Sequence, residues 1–436
     1  MVKQNINVFW FRRDLRLTDN AALYRALKAD KPVLPLFIFD KNILDKLEDK
    51  HDARLTFLHQ EIEKLKHQCT NYHSDVCVEY GYPAQIWEKL MATYHISAVF
   101  TNHDYEPYAL QRDAELAKLF ALNNIIFKTY KDQAIFEKDE VTKDDGKPYV
   151  VFTPYKRKWL EKLNAYYTKP YPSENLLGNL YHTTTSPMPT LQTMGFEKSS
   201  LALPNKIYAP ILKNYARDRD FPAKDATSHI SLHLRFGTLS IRQLVNVAKN
   251  ASEVWLNELI WRDFYFSILW HFPHSARQSF RPEYDNIKWR NNPQEFEAWC
   301  AGKTGYPMVD AGMRQLNRTG FMHNRVRMVV ASFLTKHLLI DWRWGERYFA
   351  KKLLDFELSS NVGGWQWAAG SGVDAAPYFR IFNPAEQIKK FDKDLLYIKK
   401  WIPEFGDAFI YPKPIVEHKQ ARERCLKVYK EGLQVL

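Results

Sequence analysis

Five short apolar runs, at residues 6–11, 33–39, 76–80, 98–101 and 125–130, punctuate the first part of the chain. Each is the length of a strand and none alternates cleanly, so all five are predicted to be strands buried on both faces. Between them lie helical patterns, such as residues 53–67, where Leu55, Leu58, Ile62 and Leu65 recur at helical spacing. Strands alternating with helices predict a doubly wound parallel sheet, because parallel neighbours need a crossover. From 131 to 204 the periodicity fails. Asp144-Asp145-Gly146 is a turn, and 169–189 is rich in Pro, Thr, Ser and Asn. That stretch is expected to be a connector, interrupted by a short helix at about 153–166. After Pro204 apolar periodicity is helical throughout, in 239–247, 253–270, 307–319, 323–339 and 344–354, with breaks such as Gly320 and Pro377. The expected organisation is an α/β domain over 1–130, a connector over 131–204, and an all-α domain over 205–436.

The turn after the first strand, Phe11-Arg12-Arg13-Asp14-Leu15-Arg16, has no glycine. A dinucleotide fold needs glycines there so that backbone can approach a pyrophosphate. The sheet alone therefore does not predict a nicotinamide enzyme.

Charge separates the two halves. Residues 206–436 hold 35 Lys+Arg against 24 Asp+Glu, whereas 1–205 hold 27 against 26. Ten of the 13 tryptophans also lie in the second part. Basic excess interleaved with aromatics points to a polyanion, nucleic acid first, with a merely basic surface as the alternative. Cys69, Cys77, Cys300 and Cys425 are scattered, with neither metal-ligand nor disulfide-framework spacing, which predicts a reducing, cytoplasmic setting. No stretch is long and apolar enough for a membrane span, and residues 1–10 lack the apolar core and cleavage site of a signal peptide.

Four segments of the helical half place polar side chains among large aromatics: Asn257-Glu258-Leu259-Ile260-Trp261-Arg262, Met322-His323-Asn324-Arg325-Val326-Arg327-Met328, Asp355-Phe356-Glu357-Leu358 with Asn361, and Gly363-Gly364-Trp365-Gln366-Trp367. On one helix Glu258 and Trp261 share a face, as do Asn324 and Met328 on another. A carboxylate and an amide in an aromatic-walled cavity suit a flat, uncharged, polar-edged ligand such as a pyrimidine pair. The paired glycines, 363 and 364, would let a ligand approach backbone closely. Satisfied polar residues in a Trp-rich core are the structural alternative for any one segment.

Together these segments resemble the photolyase/cryptochrome family. The likeness starts at Phe9-Trp10-Phe11-Arg12-Arg13-Asp14-Leu15-Arg16-Leu17, passes through Lys303-Thr304-Gly305-Tyr306-Pro307, and ends near Pro414-Ile415-Val416-Glu417-His418. The block 363–380, closing on Asp374-Ala375-Ala376-Pro377-Tyr378-Phe379-Arg380, is its most specific part. The resemblance implies a non-covalent FAD in the helical domain. Tyr215 and Thr227-Ser228-His229-Ile230-Ser231 correspond to the stretch that embraces the FAD phosphates, with His229 where Arg is usual and His233 where Tyr is usual. His229 and His233 are four apart, but no third ligand is near and no metal is expected. Arg327 and Asp355 match the charged pair beside the isoalloxazine ring, followed by Phe356; Glu357 and Asn361 match its edge.

What the family implies for chemistry is light-driven repair of cyclobutane pyrimidine dimers, by electron transfer from reduced anionic FAD to a dimer flipped out of damaged DNA. Repair members carry Asn where this chain has Asn361, plant cryptochromes Asp and animal ones Cys. Asn324 resembles the cyclobutane enzymes, since six-four photolyases carry His in that region. Trp261, Trp367 and Met328 would wall the lesion pocket, and Glu258 and Asn324 would bond the pyrimidine edges. Arg219, Arg325, Arg380 and Gln387 would hold the phosphodiester backbone, and Arg262 also belongs to the implied DNA-binding set. Trp365, Trp342 and Trp289 match the chain that photoreduces the flavin; Trp344 is expected to be a bystander. Folate-binding members show Asn and Glu where this chain has Tyr108 and Ala109, so the folate antenna site is not matched, and a deazaflavin, a flavin or no antenna remain open. Alternatives are a cryptochrome-like blue-light receptor, a six-four photolyase, and a DNA-binding flavoprotein without photochemistry. The absence of a long tail beyond Leu436 is taken to count against signalling. A monomer with no obligate protein partner is expected.

Overall fold

A computed structural model describes residues 3–206, 208–407 and 409–433; expectations that touch residues 1–2 or the end of the chain at Leu436 lie outside them. The chain divides into two compact units. One comprises 1–137, 163–205 and 230–247, the other 138–162, 206–229 and 248–436.

The first unit is built on a five-stranded parallel sheet of order β3-β2-β1-β4-β5, with β1 at Asn5–Phe11, β2 at Val33–Asp40, β3 at Cys77–Gly81, β4 at His95–Asn102 and β5 at Ile126–Tyr130. All eight residues of β2 are buried, as covering both faces requires. β3 and β5 are corrections to the expectation of five doubly buried strands, because they are the two edges of the sheet: only Val78 of β3 is buried, and no residue of β5 is. The helix expected at 53–67 runs Ala53–Thr70, started by Asp52, whose side chain accepts from the Arg54 N–H.

The expected boundaries are also corrected. The predicted connector is split between the units, its helix Phe152–Lys162 belonging to the second. Residues 230–247, placed by periodicity in the helical domain, belong to the first unit. Buried charge explains that assignment. Asp132 accepts from Arg16 at 2.6 Å and from Arg242 at 2.7 Å, and Arg242 also reaches Asp19 at 2.8 Å. Burial pushes the Asp132 carboxyl up, but the two guanidiniums more than offset it and hold it below the usual range. Gly237 seals the same junction. It has φ +65°, and a Cβ there would run into the backbone of Arg13 and Asp14.

The second unit is helical. Its described residues include no β-strand, only an isolated bridge between Thr142 and Pro148. Glu253–His271, Pro307–Thr319, Asn324–Ser332, Trp342–Lys352 and Leu358–Ala369 are its main helices. The segment predicted at 323–339 is helical only to Ser332 and then widens to a π-turn over Phe333–His337. Its core is aromatic, with Trp299, Trp342, Phe349 and Trp365 all buried among Met308, Met313, Leu316 and Val330.

Candidate active site

The sequence-selected residues of the second unit lie on six helices and in the segments between them. Ser252 caps the Glu253–His271 helix by accepting from the Trp255 N–H, which sets the phase of Glu258 and Trp261. His323 caps Asn324–Ser332, its Nδ1 accepting from the Arg325 N–H, and burial pushes its imidazole down to about 4. The cap therefore works as a neutral ring.

Two ion pairs join these helices to the segment after Tyr215–Asp218. Arg219 is paired with Glu258, and the next residue, Asp220, accepts from Arg325 at 2.9 Å. The Arg219 guanidinium also sits 5.4 Å from the Tyr215 ring, and that of Arg325 4.4 Å from Phe391. Phe391 closes the Pro384–Phe391 helix, which carries Gln387. Asn324 is exposed and has no hydrogen-bond partner among the described residues. Met328 lies one turn on, its sulfur 3.9 Å from Arg325. Burial raises the Glu258 carboxyl, and Arg219 only partly reverses this.

Trp261 is fixed by a stack on Phe152, with centroids 3.7 Å apart and planes 6° off parallel. Arg262, one residue on, lies over Phe266 at 4.5 Å. Trp367 and Arg380 meet the same Phe382 ring, at 6.4 and 6.0 Å. The glycine pair behaves differently from its reading in the sequence. Gly363 is small because the Tyr265 ring occupies the space of its Cβ, whereas Gly364 faces open space. Only Gly364 is free for a ligand's approach.

The residues matched to the flavin form a second group. Arg327 donates to Asp355 at 3.0 and 3.2 Å and to the Met322 carbonyl at 2.8 Å. Phe356 packs against the aromatic core, and Glu357 is buried, accepting from Ser359 at 2.9 Å. Asn361 donates through its amide nitrogen to the Glu346 carboxylate at 2.8 Å and to the Glu346 carbonyl at 3.1 Å. Thr227 and His229 are 3.2 Å apart, and His229, at φ +49°, is also 2.9 Å from Asp225. Ser228 lies between them, half-buried, while Ile230 and Ser231 fall in the first unit, Ser231 opening the five-residue helix Ser231–Arg235. His233, also in the first unit, is 2.8 Å from the Thr238 hydroxyl and 3.0 Å from the Pro204 carbonyl. Among the described residues no cluster of three His, Cys, Asp or Glu could hold a metal.

Trp365 and Trp342 are buried and Trp289 is half-buried, set edge-on to Tyr429 at 5.8 Å. The rings around Trp365 are Phe349 at 5.0 Å and Trp299 at 6.0 Å. Trp344, by contrast, contacts Phe296. In the first unit the Tyr108 hydroxyl donates to Asp40 at 2.6 Å and Ala109 is buried, so these departures from the folate pattern are tied into the protein's own packing.

Sequence reading missed Glu346, Asp220, Phe152 and Tyr265. Their roles come from partners far along the chain, so no local spacing marks them. Glu346 is 15 residues from Asn361, and Phe152 sits in the presumed connector.

The donor set suits FAD. Asn361 spends only its nitrogen within the protein, so its carbonyl oxygen is an acceptor of the kind a flavin N–H would need. The Arg327–Asp355 pair offers complementary charge beside a ring, and Thr227 and Ser228 offer hydroxyls for phosphate. Comparison with known proteins agrees. Residues 7–175 match the family described as DNA photolyase, and 255–409 the family described as the FAD binding domain of DNA photolyase. A Vibrio cholerae protein named deoxyribodipyrimidine photo-lyase is 36% identical, covering 98% of this chain and 99% of its own. The crystal structure of a class III photolyase from Agrobacterium tumefaciens superposes with TM-score 0.86 at 32% identity, over 99% of this chain and 98% of that one. The cryptochrome of Synechocystis sp. PCC6803 superposes with TM-score 0.85 at 26% identity, over 98% of this chain and 100% of that one. No helix among the described residues is long and apolar enough to cross a membrane.

Proposed function

Because the chain belongs to the DNA photolyase family of FAD-binding enzymes, we propose that its substrate is the cyclobutane pyrimidine dimer in DNA, repaired in light as a monomer. FAD, when bound, supplies light absorption and the electron that opens the cyclobutane ring and is then returned. The protein's residues bind, orient and exclude water. Arg327, Asp355, Glu357 and Asn361 hold the flavin, and the neutral Asn361 amide accepts a flavin N–H without offering an acidic proton. Tyr215 and the hydroxyls of Thr227 and Ser228 serve the phosphates, with His229 where the family usually has Arg.

Trp261, held flat by Phe152, and Trp367 stack on the flipped pyrimidines. Glu258 and Asn324 bond their edges, and Met328 lines the apolar side. Arg219, Arg325 and Arg380 take the phosphodiester backbone, with Arg262 and Gln387 flanking. With FAD bound, Trp365, Trp342 and Trp289 would relay electrons inward to an oxidised flavin from a reductant at the surface.

The observation that carries the cyclobutane reading is Asn324. It is an exposed amide with no protein partner for its side chain among the described residues, one residue from the Asp220-bound Arg325, in a region where six-four photolyases carry His. The test is to illuminate the reduced, FAD-loaded protein with DNA carrying cyclobutane dimers or six-four products. Restored pyrimidines from the first substrate alone are expected. Repair of six-four DNA only, or no repair with DNA bound, overturns it. The second outcome favours the cryptochrome-like reading, which rests on the likeness to the Synechocystis protein.

A further inference from the structure

Arg219 and Glu258 are bonded to each other, yet the repair reading, on which this inference rests, gives each a different partner in DNA. Arg219 holds Glu258 through one guanidinium nitrogen and one carboxylate oxygen, and an arriving phosphate competes with that carboxylate for the cation. The groups around Glu258 decide its protonation once the two part. Arg219 is the cation that pairs with it, and Asp220, the next residue, is an anion whose charge opposes its ionisation. Tyr215 and Tyr265 face it as neutral phenols whose own ionisation burial suppresses. Arg325 is held by Asp220, and Arg262, four residues on along the same helix, lies over Phe266. His323, at the cap beside Arg325, is neutral. Remove Arg219 and bring in a phosphate, and burial, Asp220 and the new anion all disfavour a carboxylate at 258.

We propose that DNA binding works an exchange latch, in which a backbone phosphate draws Arg219 off Glu258 and Glu258 takes up one proton from solvent as it turns to the lesion. No other bond changes. A carboxylate only accepts hydrogen bonds, whereas a carboxylic acid donates one and accepts another. That is the complement of a thymine edge, whose carbonyl accepts and whose N3–H donates. The latch thus couples the sequence-blind phosphate contact to the lesion-reading one, and keeps the acid neutralised by Arg219 until DNA arrives.

The experiment is dark calorimetry of the FAD-loaded protein with dimer-containing DNA near neutral pH, in buffers of different ionisation enthalpy. The heat is expected to vary with buffer, giving an uptake approaching one proton per DNA. Glu258→Gln, close to isosteric, removes this uptake, read at saturating DNA so that weaker binding does not mimic the loss. Arg219→Gln is expected to diminish it too, because no guanidinium is there to be drawn off Glu258. Dimer-selective binding with buffer-independent heat overturns the latch and leaves the repair reading standing. Uptake undiminished in Arg219→Gln overturns the exchange, and uptake that persists in Glu258→Gln overturns the assignment to that residue. Failure to prefer dimer-containing over undamaged DNA is instead a failure of the repair reading.

Discussion

The amide nitrogen of Asn361 donates to both the carboxylate and the backbone carbonyl of Glu346, at 2.8 and 3.1 Å. This fixes which end of the amide is left for a ligand. Burial raises the Glu346 carboxyl, and the bond from Asn361 only partly counters it. The unfolded chain ionises Glu346 in the ordinary range and the folded chain only at higher pH. Between those values the folded state holds the extra proton, so stability falls as pH rises through the window. Glu346→Gln keeps an acceptor for Asn361 and removes the falling component. Its melting temperature is expected to gain on the parent's as pH climbs above the usual carboxylate range, on the order of 1 kcal/mol in stability. Asn361→Asp sets two carboxyls against each other and should be destabilised, more so at high pH. Thermal melts across pH check both.

Gly345 and Trp365 occupy one another's space. A Cβ at Gly345 would run into the Trp365 ring and the Leu334 side chain. Gly345→Ala is therefore expected to cost about 1–3 kcal/mol in urea unfolding, although alanine is the better helix former. In Trp365→Phe the ring atoms at fault are gone, so adding Gly345→Ala there should cost less. Equal costs in the two backgrounds would falsify the contact as the cause. Trp365→Phe should also abolish photoreduction of bound flavin, read by absorbance.

Much of this was legible in the chain. Apolar runs at strand length revealed β1 to β4, and helical spacing the second unit. Burial of β3 and β5 was misjudged because an edge strand and a central one share β-branched and aromatic residues, and only neighbours distinguish them. Residues 230–247 were misassigned for a related reason. Their helical period is real, but their place is set by Arg242 reaching Asp132 and Asp19, more than a hundred residues away. Within the site, residue types such as Glu258 and Asn324 were visible. The partners that set their states, Arg219 for one and none for the other, were not.

Arg325 and Asn324 are adjacent but should fail differently. Arg325 stands on Phe391 with its guanidinium on Asp220, a cation pre-positioned for phosphate. Arg325→Ala is expected to weaken damaged and undamaged DNA alike, and to lower the slope of log affinity against log salt by about 1. Asn324→Ala should leave that slope and undamaged DNA unchanged. It should cost about 1–2 kcal/mol on dimer-containing DNA alone, the worth of an edge hydrogen bond left unmade. Fluorescence anisotropy over a salt series separates the two.

Lys336 is a buried cation whose oxygen partner is neutral. Its Nζ donates to the Ala369 carbonyl at 2.8 Å and lies 3.8 Å from the centre of the Tyr429 ring. Burial pushes its ammonium down to about 7 from an ordinary 10.5. A depressed lysine means that the unfolded state binds the proton more tightly, so this group makes the fold more stable as pH rises from 7 toward 10.5. Lys336→Met fits a similar volume and removes the titration. The variant should exceed the parent by about 1–4 kcal/mol near pH 6, where the parent carries an unpaired buried charge. The gap should narrow steadily above pH 7 and close as pH passes 10.5, where the parent's amine becomes neutral in both states and still keeps its bond to Ala369. Chemical denaturation at several pH values tests this, and parallel curves for the two proteins would mean that Lys336 is solvated through its ring-lined site.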